Sequence, residues 1–223
     1  MGAIEQRLDY MMGLVPIMLQ GGWVSLQVFL LTMAVALPFG LIIAMLLIAK
    51  AAPLRWVGKA YTTILRGTPL LLQLFFVYYG LPAMGIVFDR FTSAVVAFIL
   101  NYAAYFAEIY RGGIQSIPRG QYEAAKVLGF SYPKTMWNII IPQTITRIMP
   151  SIANETITLV KDTALITAIG VSEMLKTAKD AVNRDVTTDP FLVVAVIYLV
   201  ATLVLTLIFN QVEKKYSYYL KRE

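Results

Sequence analysis

Apolar residues along the chain collect into five runs, each close to the roughly 20 mostly apolar residues that a helix needs to cross a bilayer core about 30 Å thick. They predict spans over residues 22–50, 68–86, 92–111, 146–172 and 190–212. Gly21-Gly22 is expected to let the backbone turn ahead of the first span, leaving residues 10–19 as a short separate helix at the outer surface. Pro38 should kink that span, whose few polar side chains, Ser25, Gln27 and Thr32, suit a peripheral helix partly facing lipid. Thr68-Pro69 reads as the capped start of the second span, and Tyr78-Tyr79 as part of an aromatic belt at the outer interface. Lys214-Lys215 anchors the end of the fifth span, ahead of a tyrosine-rich tail.

One stretch is too polar for lipid. Residues 116–142 carry Arg119, Lys126 and Lys134 among small and polar residues and read as an aqueous loop of two short helices. Ser116 is placed to cap the first, with Pro118 early in it, and Gly129 supplies the left-handed residue that ends it. Ser131 and Pro133 restart a second helix. Such a unit between two spans suits the docking of something soluble.

Composition sharpens the class. In 223 residues, 58% are hydrophobic and only 14% charged, which overrides the expectation of a soluble domain. The net charge of +6 would suit nucleic acid, but its distribution argues otherwise. Of 19 Lys and Arg, thirteen lie in one alternating set of connections, around residues 50–66, 111–147 and 214–222, and five in the other set. That asymmetry places the first set in the cytoplasm, with the N-terminus outside and the C-terminus inside. Cysteine and histidine are absent, which excludes thiol chemistry, disulfides and the usual transition-metal clusters. Glu5, Asp9 and Pro16 interrupt the first twenty residues, a poor pattern for a cleavable signal peptide.

Two spans carry candidate chemistry. In the third, Asn101, Tyr105 and Glu108 are spaced by four and three and share one helical face, although Arg111 is also placed to pair with Glu108. The fourth gathers Asn154, Glu155, Thr158, Lys161 and Asp162 within about two turns. A charge at membrane depth costs about 2.5–3.5 kcal/mol on insertion scales, so these groups need partners or water. Even with Lys161 paired to one carboxylate, a negative charge is left, and a pathway of that sign prefers a cation. Gln73 reads equally as glue between helices or as part of a pathway lining. The outer connection over residues 172–190, nearly neutral, reads as a solvated loop with one helix and as a place where a soluble delivery protein could dock.

Specific motifs then point to a family. Glu123-Ala124-Ala125, with Gly129 after three intervening residues and Ile139 and Ile141-Pro142 beyond, resembles the coupling motif of transmembrane subunits of binding-protein-dependent ABC importers. The stretches RGTPLLLQ from Arg66, AEIYRGGIQSIP from Ala107, and Lys161-Asp162-Thr163 resemble the polar amino acid permease branch. Ile141 stands where the motif usually has Leu, a swap that conserves volume. The resemblance covers nearly the whole chain and implies a single all-α membrane domain of about five transmembrane helices, the type I ABC importer fold, in a prokaryotic inner membrane.

It further implies a translocation subunit, not itself an enzyme, with three kinds of protein partner: an ATP-binding cassette subunit holding ATP and Mg, a second permease copy, identical or paralogous, and an extracellular or periplasmic binding protein. Glu123, Ala124, Ala125 and Gly129 would couple to the ATPase. The chain itself has no phosphate-binding loop and no cofactor is expected in it. Polar amino acids are the implied cargo, and the acidic excess narrows them to arginine, lysine or protonated histidine. Glu108, Glu155 and Asp162 would meet the positive charge, with Asn101, Asn154, Tyr105 and Thr158 giving hydrogen bonds. Two other classes compete. An ion-coupled secondary carrier would use the same carboxylates, but no internal repeat is evident; an intramembrane enzyme lacks any familiar base or metal motif.

Overall fold

The structure, a computed structural model, describes residues 2–217; Lys221, Arg222 and most of the tyrosine-rich tail lie outside the described residues. Every regular element among them is helical. In chain order they are α1 (Ala3–Leu47), α2 (Ala52–Gly67), α3 (Leu70–Phe75), α4 (Arg90–Gln115), α5 (Arg119–Val127), α6 (Tyr132–Thr135), α7 (Ile141–Asp162), α8 (Met174–Asp185) and α9 (Asp189–Ser217). A π turn, Phe76–Gly80, and a 3-10 turn, Leu81–Met84, extend α3; a second π turn, Met136–Ile140, joins α6 to α7.

The expected turn at Gly21-Gly22 is absent. α1 runs through it, and through Pro16 and Pro38, for 45 residues, about 67 Å at 1.5 Å per residue and roughly twice a bilayer core. The glycine serves close packing instead: a Cβ on Gly21 would lie 2.8 Å from the carbonyl carbon of Glu173 and 2.9 Å from the amide nitrogen of Met174. Residues 10–19 are therefore part of α1 rather than a separate surface helix. Leu14 and Met18 pack there against Met174, Ala178 and Ala181 of α8 and Val193 and Val194 of α9. Beyond this apolar patch Arg7 Nε donates to Asp189 at 2.9 Å and the Tyr10 hydroxyl donates to Asp185.

Among the described residues three helices, α1, α4 and α9, are long and apolar enough to cross a membrane; α2 with α3 and its extension, bent by 103° at their junction, makes a fourth if that pair is one broken span. The fifth expected span, residues 146–172, is α7 followed by a 3-10 segment, Thr163–Ile169. Arg147, Glu155, Lys161 and Asp162 make it too polar to pass the same test among the described residues. α7 buries its threonines by returning their hydroxyls to the helix: Thr144 to the Ile140 carbonyl, Thr146 to Pro142 and Thr156 to Ile152.

The chain forms two compact units, neither contiguous in sequence. One gathers the N-terminal part of α1, the elements from α3 into the start of α4, and the end of α7 with α8 and most of α9. Its connection over residues 172–190 contains the expected single helix but is not simply solvated, because Glu173 at its start is fully buried. That carboxylate caps α8, accepting from the amides of Leu175 and Lys176 at 2.7 Å each and from the Tyr198 hydroxyl at 3.2 Å. Burial pushes the Glu173 carboxyl above the ordinary carboxylate range, and those three donors pull the other way without cancelling it.

A carboxyl raised in the fold favours the folded state in its neutral form, so its contribution is largest below the unfolded value and is lost as pH rises. Glu173→Gln stays neutral at every pH. The melting temperature of wild type relative to this variant is expected to fall as pH goes from about 4 to about 7. A difference that does not change over that interval would show the carboxylate to be fully compensated.

The other unit holds the rest of α1, α2, most of α4, α5 and α6, and most of α7. Ile43, Ala44, Leu47 and Ala107 form its core between α1 and α4, with Phe39 edge-on to Tyr61 of α2 at 5.9 Å. α4 and α7 meet so closely at Gly113 that a Cβ there would lie 2.1 Å from Ile148 Cγ2.

Candidate functional site

The face of α4 that carries Asn101, Tyr105 and Glu108 is turned onto the last two turns of α2. Pro69 has no N–H to return to the Leu65 carbonyl four residues before it. Asn101 Nδ2 donates to that carbonyl at 3.1 Å. One turn on, Tyr105 lies under the guanidinium of Arg66, whose Cζ is 5.3 Å from the ring centroid. A turn further, Glu108 Oε1 accepts from the Thr62 hydroxyl at 3.1 Å. Its Oε2 accepts from both Arg111 Nε and Nη2, at 2.7 and 2.6 Å, with Arg66 Nη1 at 3.9 Å. The Arg111 pair foreseen from the spacing is thus present, and Glu108 has two guanidinium groups around it. Tyr61, donating to the Leu100 carbonyl at 2.7 Å, fastens α2 to the same helix.

On α7, Asn154 and Lys161 are exposed, while Glu155, Thr158 and Asp162 are half-buried. Asn154, Glu155, Thr158 and Asp162 are all engaged with neighbours. Gln73 donates to the Thr68 carbonyl and hydroxyl at 3.1 and 2.8 Å, so the Thr68 side chain meets a side chain rather than capping α3.

In the polar loop, α5 starts at Pro118 without a side-chain cap. The Ser116 hydroxyl instead donates to the Gly113 carbonyl at 2.7 Å. The reason is local: α4 persists to Gln115, so Ser116 sits at the end of that helix rather than before the next. Gly129 is left-handed as expected, at φ 77°. The Gly129 amide donates to the Lys126 carbonyl and the Phe130 amide to that of Ala125, both at 3.0 Å, which closes α5 with a Schellman pair. Ser131 precedes α6, but that helix is no isolated unit, since the π turn carries it into α7.

Along α5, Glu123 and Ala124 face outward and Ala125 is buried. Next to them Val127 and Leu128 are 87% and 73% exposed, an apolar tip that the motif alone did not single out. Their position immediately before a helix-ending glycine is the signal that could have found them. Arg147 was also missed. Its Nη1 donates to the Ser116 carbonyl at 2.6 Å, tying α7 to the chain just ahead of α5, beside a polar crevice of about 330 Å³.

Apolar helices long enough to span a membrane, a polar helix with two half-buried acids beside them in the chain, and an aqueous loop ending in exposed apolar side chains describe a membrane-embedded subunit that works with a soluble partner. The chain belongs to the family of binding-protein-dependent transport system inner membrane components, whose pattern matches residues 36–218. It is 39% identical over 203 residues to the arginine transport system permease protein ArtQ of Bacillus subtilis (strain 168), covering 90% of this chain and 93% of that one. Over 211 residues it is 36% identical to the L-cystine transport system permease protein TcyB of the same organism, covering 93% and 89%. Among solved structures, that of an amino acid ABC transporter with histidines superposes with a TM-score of 0.87 at 33% identity, covering 92% of this chain and 97% of that one. These matches give the fold as that of type I ABC importer permeases.

Proposed function

We propose that this chain is the translocation subunit of an ATP-driven importer whose cargo is a cationic amino acid. The family and the curated relatives support the coarser statement, an amino acid ABC transporter permease with a separate ATPase and a substrate-binding protein. Relatives named for arginine, cystine and glutamine all resemble it, so similarity alone does not choose among cargoes. The feature that favours a cation is in the last turns of α7, where Glu155 and Asp162 outnumber Lys161.

In this reading two copies, or one copy and a paralogue, enclose the route, with N-termini outside and C-termini in the cytoplasm. Glu155 and Asp162 meet the positive charge, and Asn154, Thr158, Asn101 and Tyr105 supply hydrogen bonds. Glu108 also meets the cation, with Arg111 on one of its oxygens. ATP and Mg are bound by the partner ATPase, which docks on Glu123, Ala124 and the exposed apolar tip. Ala125 and Gly129 hold that surface in shape.

Glu155→Gln and Asp162→Asn test the charge. In proteoliposomes holding the whole importer, each is expected to weaken arginine uptake about tenfold, or about 1.4 kcal/mol, while glutamine uptake stays within about twofold. Equal losses for both cargoes would reject a cationic preference. Uptake that needs no ATP and collapses with an uncoupler would point instead to an ion-coupled carrier.

A further inference from the structure

The strip of α4 facing α2 has the composition of a guanidinium receptor: an aromatic face, a carboxylate and an amide within two turns of one helix. It is already filled by a guanidinium of the chain itself. Arg66 lies over Tyr105 and reaches Glu108 only at 3.9 Å, with its side chain still 43% exposed, whereas Arg111 holds the same oxygen at 2.6 Å. Glu108 is therefore charge-matched without Arg66, which is a second, loosely seated cation.

The position of Arg66 favours exchange. It is the penultimate residue of α2, immediately before the break at Gly67-Thr68-Pro69, and the space around Gly67 is open. Leaving the seat requires only a rotation of an exposed side chain into water. Exposed cation–π contacts and solvent-accessible ion pairs are both weak, so a competitor of the same chemistry displaces such an occupant readily.

We propose that Arg66 is a resident stand-in for the side chain of a cationic cargo: it occupies the Tyr105 and Glu108 seat when the subunit is empty, and an arginine-like cargo displaces it. This rests on the cationic-cargo reading above and adds a specificity-determining residue to it. Displacement taxes every cationic cargo by the strength of the resident contact, while a neutral cargo that does not use the seat escapes the tax. Arg66 thus sets how far the importer prefers arginine over glutamine.

The test is equilibrium binding of radiolabelled arginine and glutamine to the purified permease–ATPase complex in nanodiscs, without binding protein. Arg66→Ala is expected to tighten arginine about fivefold or more and to leave glutamine within about twofold. Methylguanidinium should compete with arginine in this variant at concentrations that do nothing to wild type. Because removing a positive charge alone would also help a cation, Arg66→Ala/Tyr105→Leu is the control: with the ring gone the gain should vanish.

Unchanged or weaker arginine binding in Arg66→Ala, or a gain that survives the loss of Tyr105, would overturn the proposal. Arg66→Gln, which keeps the length and hydrogen bonding of the side chain, serves if Arg66→Ala does not assemble, with the same outcomes. A wild-type complex that binds glutamine and not arginine would reject the cationic-cargo reading itself, and this inference with it.

Discussion

Gly21→Leu is expected to cost the subunit about 3 kcal/mol or more, the upper end of what overpacking a tight contact does. The added side chain would have to share space with the backbone of Glu173 and Met174, atoms that a Cβ alone would approach within 2.8 and 2.9 Å. A flexible neighbour can swing aside, whereas main chain at the start of α8 cannot. Moving it would also strain the buried carboxylate of Glu173, which holds two amides of α8 and the hydroxyl of Tyr198. Gly21→Ala should show the same effect at about 1–3 kcal/mol, since the gain in helix propensity of about 1 kcal/mol offsets only part of it. Thermal melting of the detergent-solubilised complex measures both. A melting temperature within a degree or so of wild type for Gly21→Leu would mean that α1 and α8 do not meet as closely as described.

The second large effect is on coupling rather than folding. Reversing the exposed charge in Glu123→Arg, or replacing the apolar tip in Leu128→Asp, should lower ATP-driven uptake at least about tenfold, through loss of transition-state stabilisation worth about 1.4 kcal/mol or more. Membrane levels should stay unchanged, because neither side chain is buried. Gly129→Val adds a different route to the same result: φ of 77° strains a side chain by about 1–2 kcal/mol, enough to displace the end of α5 without unfolding the subunit. Uptake in proteoliposomes and retention of the ATPase on the tagged permease are the two readouts. Variants that keep both at wild-type levels would remove the loop from any role in docking.

What could be read from the sequence was whatever local spacing determines. Gly129 ends a helix because of its own backbone freedom, and Glu108 meets Arg111 because three residues bring them to one face. The apolar runs of α4 and α9 announce spans for the same reason. What could not be read depends on partners far along the chain. Gly21-Gly22 looks like a turn until Glu173 is placed against it, and Glu173 looks solvated until Tyr198 and α1 cover it. The strip Asn101, Tyr105 and Glu108 was found as a face, but its neighbour is α2, over thirty residues earlier, and no periodicity within α4 names that neighbour. Hydropathy does not single out α7 because it measures a helix alone, whereas this helix is tied to α4 at Gly113 and to the chain just beyond it at Ser116.

The carbonyl that Pro69 leaves without an in-helix donor is met by the amide of Asn101, a side chain from another helix. A main-chain donor is locked to its own coil and departs only when that coil unwinds. The Asn101 amide, buried on α4, belongs to another helix, so this contact lasts only while α4 stays packed against α2. The end of α2 is therefore fastened partly from outside itself, and a shift of α4 against α2 would loosen that carbonyl without any helix having to be rebuilt.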